Sequence, residues 1–207
     1  MGLQDAERQQ GTKEVSVLLT EWRSPHTLPG AMSIVIRPWT RADLPLIREL
    51  LLRTWLDAYG AFIPQRDLAD YLEANYSQPK LEGMLVDPDV CGYVAELDGA
   101  VAGYMKLHHN RSQERFYLQQ LYILPEQQGR RLGRRLLTSA EDRARALGLA
   151  QLWLGVMVKN ARAVGWYRKM GYTVTETTPF VMGATTVDHY IGYLPLPLRP
   201  LAGEHAD

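Results

Sequence analysis

The sequence predicts a mixed α/β domain built on one sheet, with the element order βααβββαβαββ. Three observations carry this. Short β-rich runs alternate with segments whose apolar residues recur at helical spacing. Two of the runs, CGYVAEL and AVAGYMKL, are joined through Asp98-Gly99, a dipeptide suited to the positive backbone angles of a two-residue hairpin turn. The run LWLGVMV, Leu152 to Val158, has the length and composition of a buried strand and stands between two helical patterns.

The regular pattern begins at Ser33. SIVIRP is a short strand ended by Pro38, and Thr40 with Asp43 forms the pattern of a capping box that opens a helix carrying Leu44, Ile47, Leu51 and Trp55 at helical spacing. A second helix is expected over Gln65 to Tyr76, leaving Asp57 to Pro64 as an aromatic loop exposed enough to touch a ligand. After the hairpin a strand runs from about Phe116 to Leu124 and stops at Pro125. The polar, glycine-bearing segment Gln127 to Gly133 leads into a helix whose inner face is Leu132, Leu136, Leu137, Ala140, Ala144 and Leu147, ended by Gly148. Past the buried strand, Asn160 is the expected N-cap of a helix through Met170, stopped by Gly171. Tyr172 to Thr178 and Val187 to Leu194 are the last strands, and the proline-rich end from Pro195 is not expected to continue the sheet.

Residues 33–207 therefore read as a single domain, preceded by a flexible extension over 1–32 that is polar and carries Pro25, Pro29 and Gly30. Met32, just before the first strand, is a candidate translation start. A chain of 207 residues, 46% of them hydrophobic, can bury a full core. Its 23 Lys+Arg balance 23 Asp+Glu, which argues against nucleic-acid or anionic-membrane partners. A single cysteine, Cys91, excludes an intramolecular disulfide and a Cys-rich zinc site and fits core filling in a reducing compartment; no metal is expected. No apolar run approaches the roughly 18 to 20 residues that span a bilayer. The opening to Glu14 lacks signal-peptide features, and Ala6 breaks the myristoylation pattern, so the expected location is cytoplasmic.

Pro125 to Leu137, PEQQGRRLGRRLL, places a strand end, a glycine turn and a helix N-terminus in succession. Unpaired backbone N–H groups and the positive end of the helix dipole favour an anion there. Arg130, Arg131, Arg134 and Arg135 crowd the same turn, where each cation is misplaced by roughly 0.3 to 1 kcal/mol. A multiply charged anion such as a pyrophosphate with a ribose phosphate would reverse that. The competing explanation is an exposed basic face paired with Glu141 and Asp142. The segment is not a Walker loop, since no Gly-Lys-Ser/Thr follows.

Gln128-Gly-Arg-Arg-Leu-Gly133 resembles the pyrophosphate loop Gln/Arg-x-x-Gly-x-Gly/Ala of the GCN5-related N-acetyltransferase (GNAT) family, with Arg131 in place of the middle glycine. Asn160 to Tyr172 resembles the family's Asn-x-x-Ala-x-x-x-Tyr-x-x-x-Gly-Phe/Tyr segment, in the same order and about 30 residues on. The likeness covers Ser33 to Leu194. WLGV at Trp153 to Val156, Lys159-Asn160, Tyr167-x-Lys-Met-Gly and Phe180-x-Met-Gly183 are similar to PaiA-type spermidine/spermine acetyltransferases.

The resemblance implies an acyl-CoA N-acyltransferase fold and direct transfer of acetyl from acetyl-CoA to a primary amine, a polyamine or another small amine, with no use for Cys91 as nucleophile. It assigns the CoA contacts to the backbone of Leu121, Tyr122 and Ile123, to Gln128, Gly129, Arg130, Arg131, Leu132, Gly133 and Arg134, and to Asn160 and Tyr167. Tyr167 matches the general acid, although it also fits a core position beside Ala163, Val164 and Met170. Many relatives carry a glutamate on the fourth strand; Phe116 to Tyr122 has no carboxylate, leaving Glu96, His108 or His109 through water, or an amine that arrives neutral. Acceptor recognition is expected from Trp55, Asp57, Tyr59 and Asp67. Protein N-terminal or lysine acetylation is the rival activity, a CoA-sensing module without chemistry the rival class, and a nucleic-acid patch at the arginines a third reading. A homodimer through sheet edges or Tyr190 to Leu198 is a further expectation of the resemblance.

Overall fold

Alternating apolar residues assemble the strands into one sheet in the computed structural model, which describes residues 32–196. The strands are β1 (Ile34–Pro38), β2 (Val90–Leu97), β3 (Ala100–Asn110), β4 (Arg115–Ile123), β5 (Gln151–Met157), β6 (Thr173–Met182) and β7 (Thr185–Pro195), in the spatial order β1-β2-β3-β4-β5-β7-β6. Asp98 and Gly99 take φ of 51° and 84°, and Leu97 pairs with Ala100, so β2 and β3 are joined by the expected two-residue turn. The extension and the candidate start at Met32 fall on or beside residues outside the description.

The helices are α1 (Leu44–Tyr59), α2 (Gln65–Tyr76), α3 (Gln78–Val86), α4 (Leu132–Ala146) and α5 (Ala161–Arg168). The two-residue period of the strands sorts the core onto two faces. Val94 and Tyr104 face α1, α2 and α3, with Trp55, Leu68 and Leu81 among the buried residues of that layer. Ala95 and Met105 face α4, whose Leu132, Leu136, Leu137, Ala140 and Ala144 are buried as the helical spacing requires. Cys91 is half-buried against this second cluster.

Several expectations are corrected. The predicted order lacked α3, whose periodicity is hard to read because Pro79 and Gly83 interrupt it and Leu81 alone is buried. The first helix runs on to Tyr59, since Trp55 and Tyr59, one turn apart, are both buried. Leu147 lies beyond the end of α4 and is 40% exposed instead of facing inward. Pro195 does belong to β7: it pairs with Gln151, beyond the point where β6 runs alongside, so its missing N–H breaks no rung to β6. As far as Pro195, the stretch expected to mediate a dimer is an interior strand, and residues 197 and 198 lie outside the described part.

One polar knot ties the first strand to the first helix. Arg37 donates to both carboxylate oxygens of Asp43 at 2.8 Å and to Glu96 at 2.8 Å, while Asp43 accepts from the Thr40 backbone N–H at 2.7 Å. The Arg37 hydrogen bond holds buried Asp43 down to about 2 from the ordinary 3.8.

Candidate active site

β4 and β5 are the parallel neighbours of the sheet, and they pair only at Tyr117–Trp153 and Leu118–Leu154. Beyond Leu118 they splay, so the β4 backbone groups on that side have no strand partner. A cavity of about 750 Å³ occupies the gap. Leu121, Tyr122, Ile123, Gln128, Gly129, Arg131, Leu132, Gly133, Arg134, Asn160 and Tyr167 all line it, so the motif residues 30 positions apart converge on one space. Arg130 does not: it is exposed, with Nη1 3.8 Å from Met32 Sδ.

The turn before α4 is shaped by the backbone. Gly129 takes φ of 78°, and Arg131 takes 65°, following the left-handed path that a glycine would follow at no steric cost. The Gln128 amide donates to the Ile123 carbonyl at 3.3 Å, which fixes the turn to the end of β4. The arginines divide. Arg134 pairs with Glu141 at 3.2 Å and Arg135 donates to the Ile34 carbonyl at 3.2 Å, whereas Arg131 has no carboxylate partner among the described residues.

Tyr167 is both a core residue and a cavity residue. Its phenol, like that of Tyr122, is raised well above the ordinary tyrosine range by burial. Tyr59, with its hydroxyl 3.1 Å from that of Tyr122, is pushed up to about 12 by burial. These phenols keep their protons at neutral pH. Asn160 accepts from the Ala163 N–H at 3.1 Å, which makes it the N-cap of α5.

The far end of the cavity is aromatic. Trp55 lies 5.8 Å from Tyr71 and 5.5 Å from Tyr76 between ring centres, and Phe180 closes the wall 5.8 Å from Tyr71. The His189 ring lies 5.2 Å from that of Phe180, tilted by 51°, and over Gly155, where a Cβ would come within 2.2 Å of the imidazole. Burial lowers its pKa, so the ring is neutral. Lys106 is 6% exposed and its Nζ lies 3.4 Å from the Tyr76 hydroxyl; burial lowers its pKa to about 8.

Trp55 and Tyr59 line the cavity as expected. Asp57 and Asp67 do not: Asp57 is held by Arg162 at 2.6 Å, which also reaches Gln128 at 2.9 Å, and buried Asp67 accepts from Thr185. Glu96 is taken by Arg37, and His108 and His109 lie at the end of β3 away from the cavity. The lining contains no Asp or Glu. Lys106, Gln120 and His189 were missed as site residues. The signals for two of them were present: a lysine inside the apolar run AVAGYMKL, and a glycine inside LWLGVMV that marks a close approach.

A model described as the acetyltransferase (GNAT) family matches residues 45–172. The chain belongs to this family. The GNAT protein is thus an acetyl-CoA-dependent N-acetyltransferase, with acetyl-CoA as its cosubstrate. The spermidine N(1)-acetyltransferase of Escherichia coli K12 is 31% identical over 154 residues, 71% of this chain and 76% of that protein. An N-acetyltransferase of Lactobacillus delbrueckii subsp. lactis is 31% identical over 147 residues, 68% of this chain and 85% of that protein. The crystal structure of the PaiA N-acetyltransferase from Thermoplasma acidophilum in complex with coenzyme A superposes with a TM-score of 0.67 at 24% identity, covering 76% of this chain and 98% of that one. The cavity fits a CoA thioester: unpaired β4 backbone groups, a helix N-terminus and a free-standing arginine face one space. Among the described residues no helix is long and apolar enough to cross a membrane, and no His, Cys, Asp and Glu cluster could hold a metal ion.

Proposed function

We propose that this enzyme acetylates a small primary amine held at the aromatic end of the cavity, with Tyr167 as the proton donor to the departing CoA thiolate. The observation that carries the reading is the continuity of one cavity from the N-terminus of α4, through the splay of β4 and β5, to the Trp55 and Tyr76 wall. In this reading the pyrophosphate rests on the backbone N–H groups of the Gln128 to Gly133 turn, aided by Arg131 and Arg134. The pantetheine arm follows Leu121 to Ile123, whose free backbone donors also polarise the thioester carbonyl.

The amine nitrogen forms a bond to that carbonyl carbon, the carbon–sulfur bond breaks, and the thiolate takes the Tyr167 proton. The proton that the amine loses goes to His189. At neutral pH His189 is neutral and able to accept, whereas Lys106, at about 8, is still mostly charged. His189 thus takes the part for which Glu96, His108 and His109 were considered.

A polyamine acceptor is supported by the spermidine N(1)-acetyltransferases of Escherichia coli and Thermoplasma acidophilum among the relatives. The lining argues for an acceptor of lower positive charge, because it offers Lys106 and no carboxylate. The test is CoA-thiol release from acetyl-CoA with a panel of amines. Tyr167→Phe is expected to lower kcat on the order of a hundredfold or more while leaving CoA affinity within a few-fold. An unchanged kcat, in a regime where chemistry limits the rate, removes Tyr167 from the reaction.

A further inference from the structure

We infer, resting on acetyl transfer at this cavity, that the acceptor is a free amino acid with an apolar or aromatic side chain, its carboxylate seated on Lys106. Lys106 is an anomaly in this chain. Its ammonium is buried within 3.4 Å of a phenol and 3.8 Å of the Met84 sulfur, and no carboxylate pairs with it among the described residues. The Tyr76 phenol is held neutral by burial and supplies no charge, although its ring lies 5.0 Å from Nζ. Arg37, the cation of the polar knot, has two carboxylates for itself. A buried cation without a counter-ion is unfavourable unless an anion arrives from outside.

A second observation stands beside it. Gln120 lies directly across the β3–β4 ladder from Lys106, is 6% exposed and lines the same cavity. Its Oε1 has no hydrogen-bond partner. Opposed side chains on neighbouring strands stand about 5 Å apart at Cβ. A buried ammonium and an unsatisfied amide oxygen at that spacing complement a molecule with an anion and an N–H donor on neighbouring atoms. The carboxylate and α-amine of an amino acid meet that description.

The remaining surface specifies the rest of the molecule. Trp55, Tyr71, Tyr76 and Phe180 offer ring faces and no ionised group, which suits an apolar or aromatic side chain. A polyamine would bring two or more further ammonium groups into a lining that has no acid to receive them.

The experiment measures binding and turnover separately on the full-length protein. By titration calorimetry with CoA-saturated protein, phenylalanine, leucine and methionine are compared with phenylalaninamide, phenethylamine and spermidine. At least one free amino acid is expected to bind roughly tenfold or more tighter than its amide or decarboxylated counterpart, the worth of a charge-assisted contact. Lys106→Met is expected to erase that difference by weakening the amino acid alone. Should Lys106→Met not fold, the wild-type comparison still decides.

The inference is overturned if spermidine, phenethylamine or phenylalaninamide binds as tightly as every free amino acid. It is equally overturned if Lys106→Met weakens charged and uncharged partners alike. CoA release with spermidine or phenethylamine but with no amino acid overturns it too, yet leaves acetyl transfer standing. Tight amino-acid binding with no release from any amine supports the Lys106 seat and overturns the proposed transfer.

Discussion

Arg131 carries a conflict between backbone and side chain. Its φ of 65° is costly for a residue with a Cβ, by roughly 1 kcal/mol, while its guanidinium stands at the cavity without a carboxylate partner. Arg131→Gly is therefore expected to raise the unfolding free energy by about 1 kcal/mol, measured in urea, and to weaken CoA binding several-fold in calorimetry. A variant that gains stability and keeps full CoA affinity would show that the side chain is not a phosphate ligand. Lys106 allows a second prediction. Its pKa falls from the ordinary 10.5 to about 8 because burial disfavours the ammonium. Between those values the unfolded chain holds more protons, so stability rises with pH through the window, by at most on the order of 3 kcal/mol. The surrounding phenols oppose this only higher up: Tyr59, raised from 10 to about 12, contributes stability below 10 that is lost as pH rises towards 12. Urea unfolding from pH 7 to 10 should show the rise in the wild type, and Lys106→Met should flatten it.

At the scale of elements, the Arg37, Asp43 and Glu96 knot joins β1, β2 and the start of α1. Asp43, lowered from 3.8 to about 2, contributes fully above pH 3.8 and loses its contribution as pH falls through 2. Asp43→Asn is expected to destabilise the fold by about 2 kcal/mol at pH 7, with the gap to wild type closing between pH 4 and 2. A constant gap would assign the loss to packing. The capping pattern behind this knot was legible in Thr40 and Asp43 because it is local, as was the hairpin at Asp98-Gly99. The limits of α2 were legible too, from apolar spacing alone. What the sequence could not convey is long-range. Lys106 and His189 sit 83 positions apart and line one cavity only because β7 inserts between β5 and β6 and so brings its middle beside it. The cofactor end was readable because its donors belong to one strand-turn-helix segment; the acceptor end was not, because α1, α2, β3, β4, β6 and β7 each contribute a wall residue.

Over the whole molecule, two packed layers on opposite faces of the sheet meet at the splay of β4 and β5. The α4 layer carries the anion-binding turn, the α1 to α3 layer carries the aromatic wall, and the ion pair of Arg162 on α5 with Asp57 on α1 spans between them. A ligand that fills the gap touches both layers, so CoA should stabilise the fold as a unit. At a free concentration about 100 times its Kd the gain is about 2.7 kcal/mol, which for a domain of this size raises Tm by roughly 5 to 10 °C. Tyr167→Phe should keep that rise, because the phenol is assigned to proton transfer, while Arg131→Gly should reduce it at equal CoA concentration. Thermal unfolding of the three proteins with and without CoA reads both effects. A Tm indifferent to millimolar CoA would mean that the gap does not receive the cosubstrate, and a rise lost in Tyr167→Phe would make that tyrosine a binding residue.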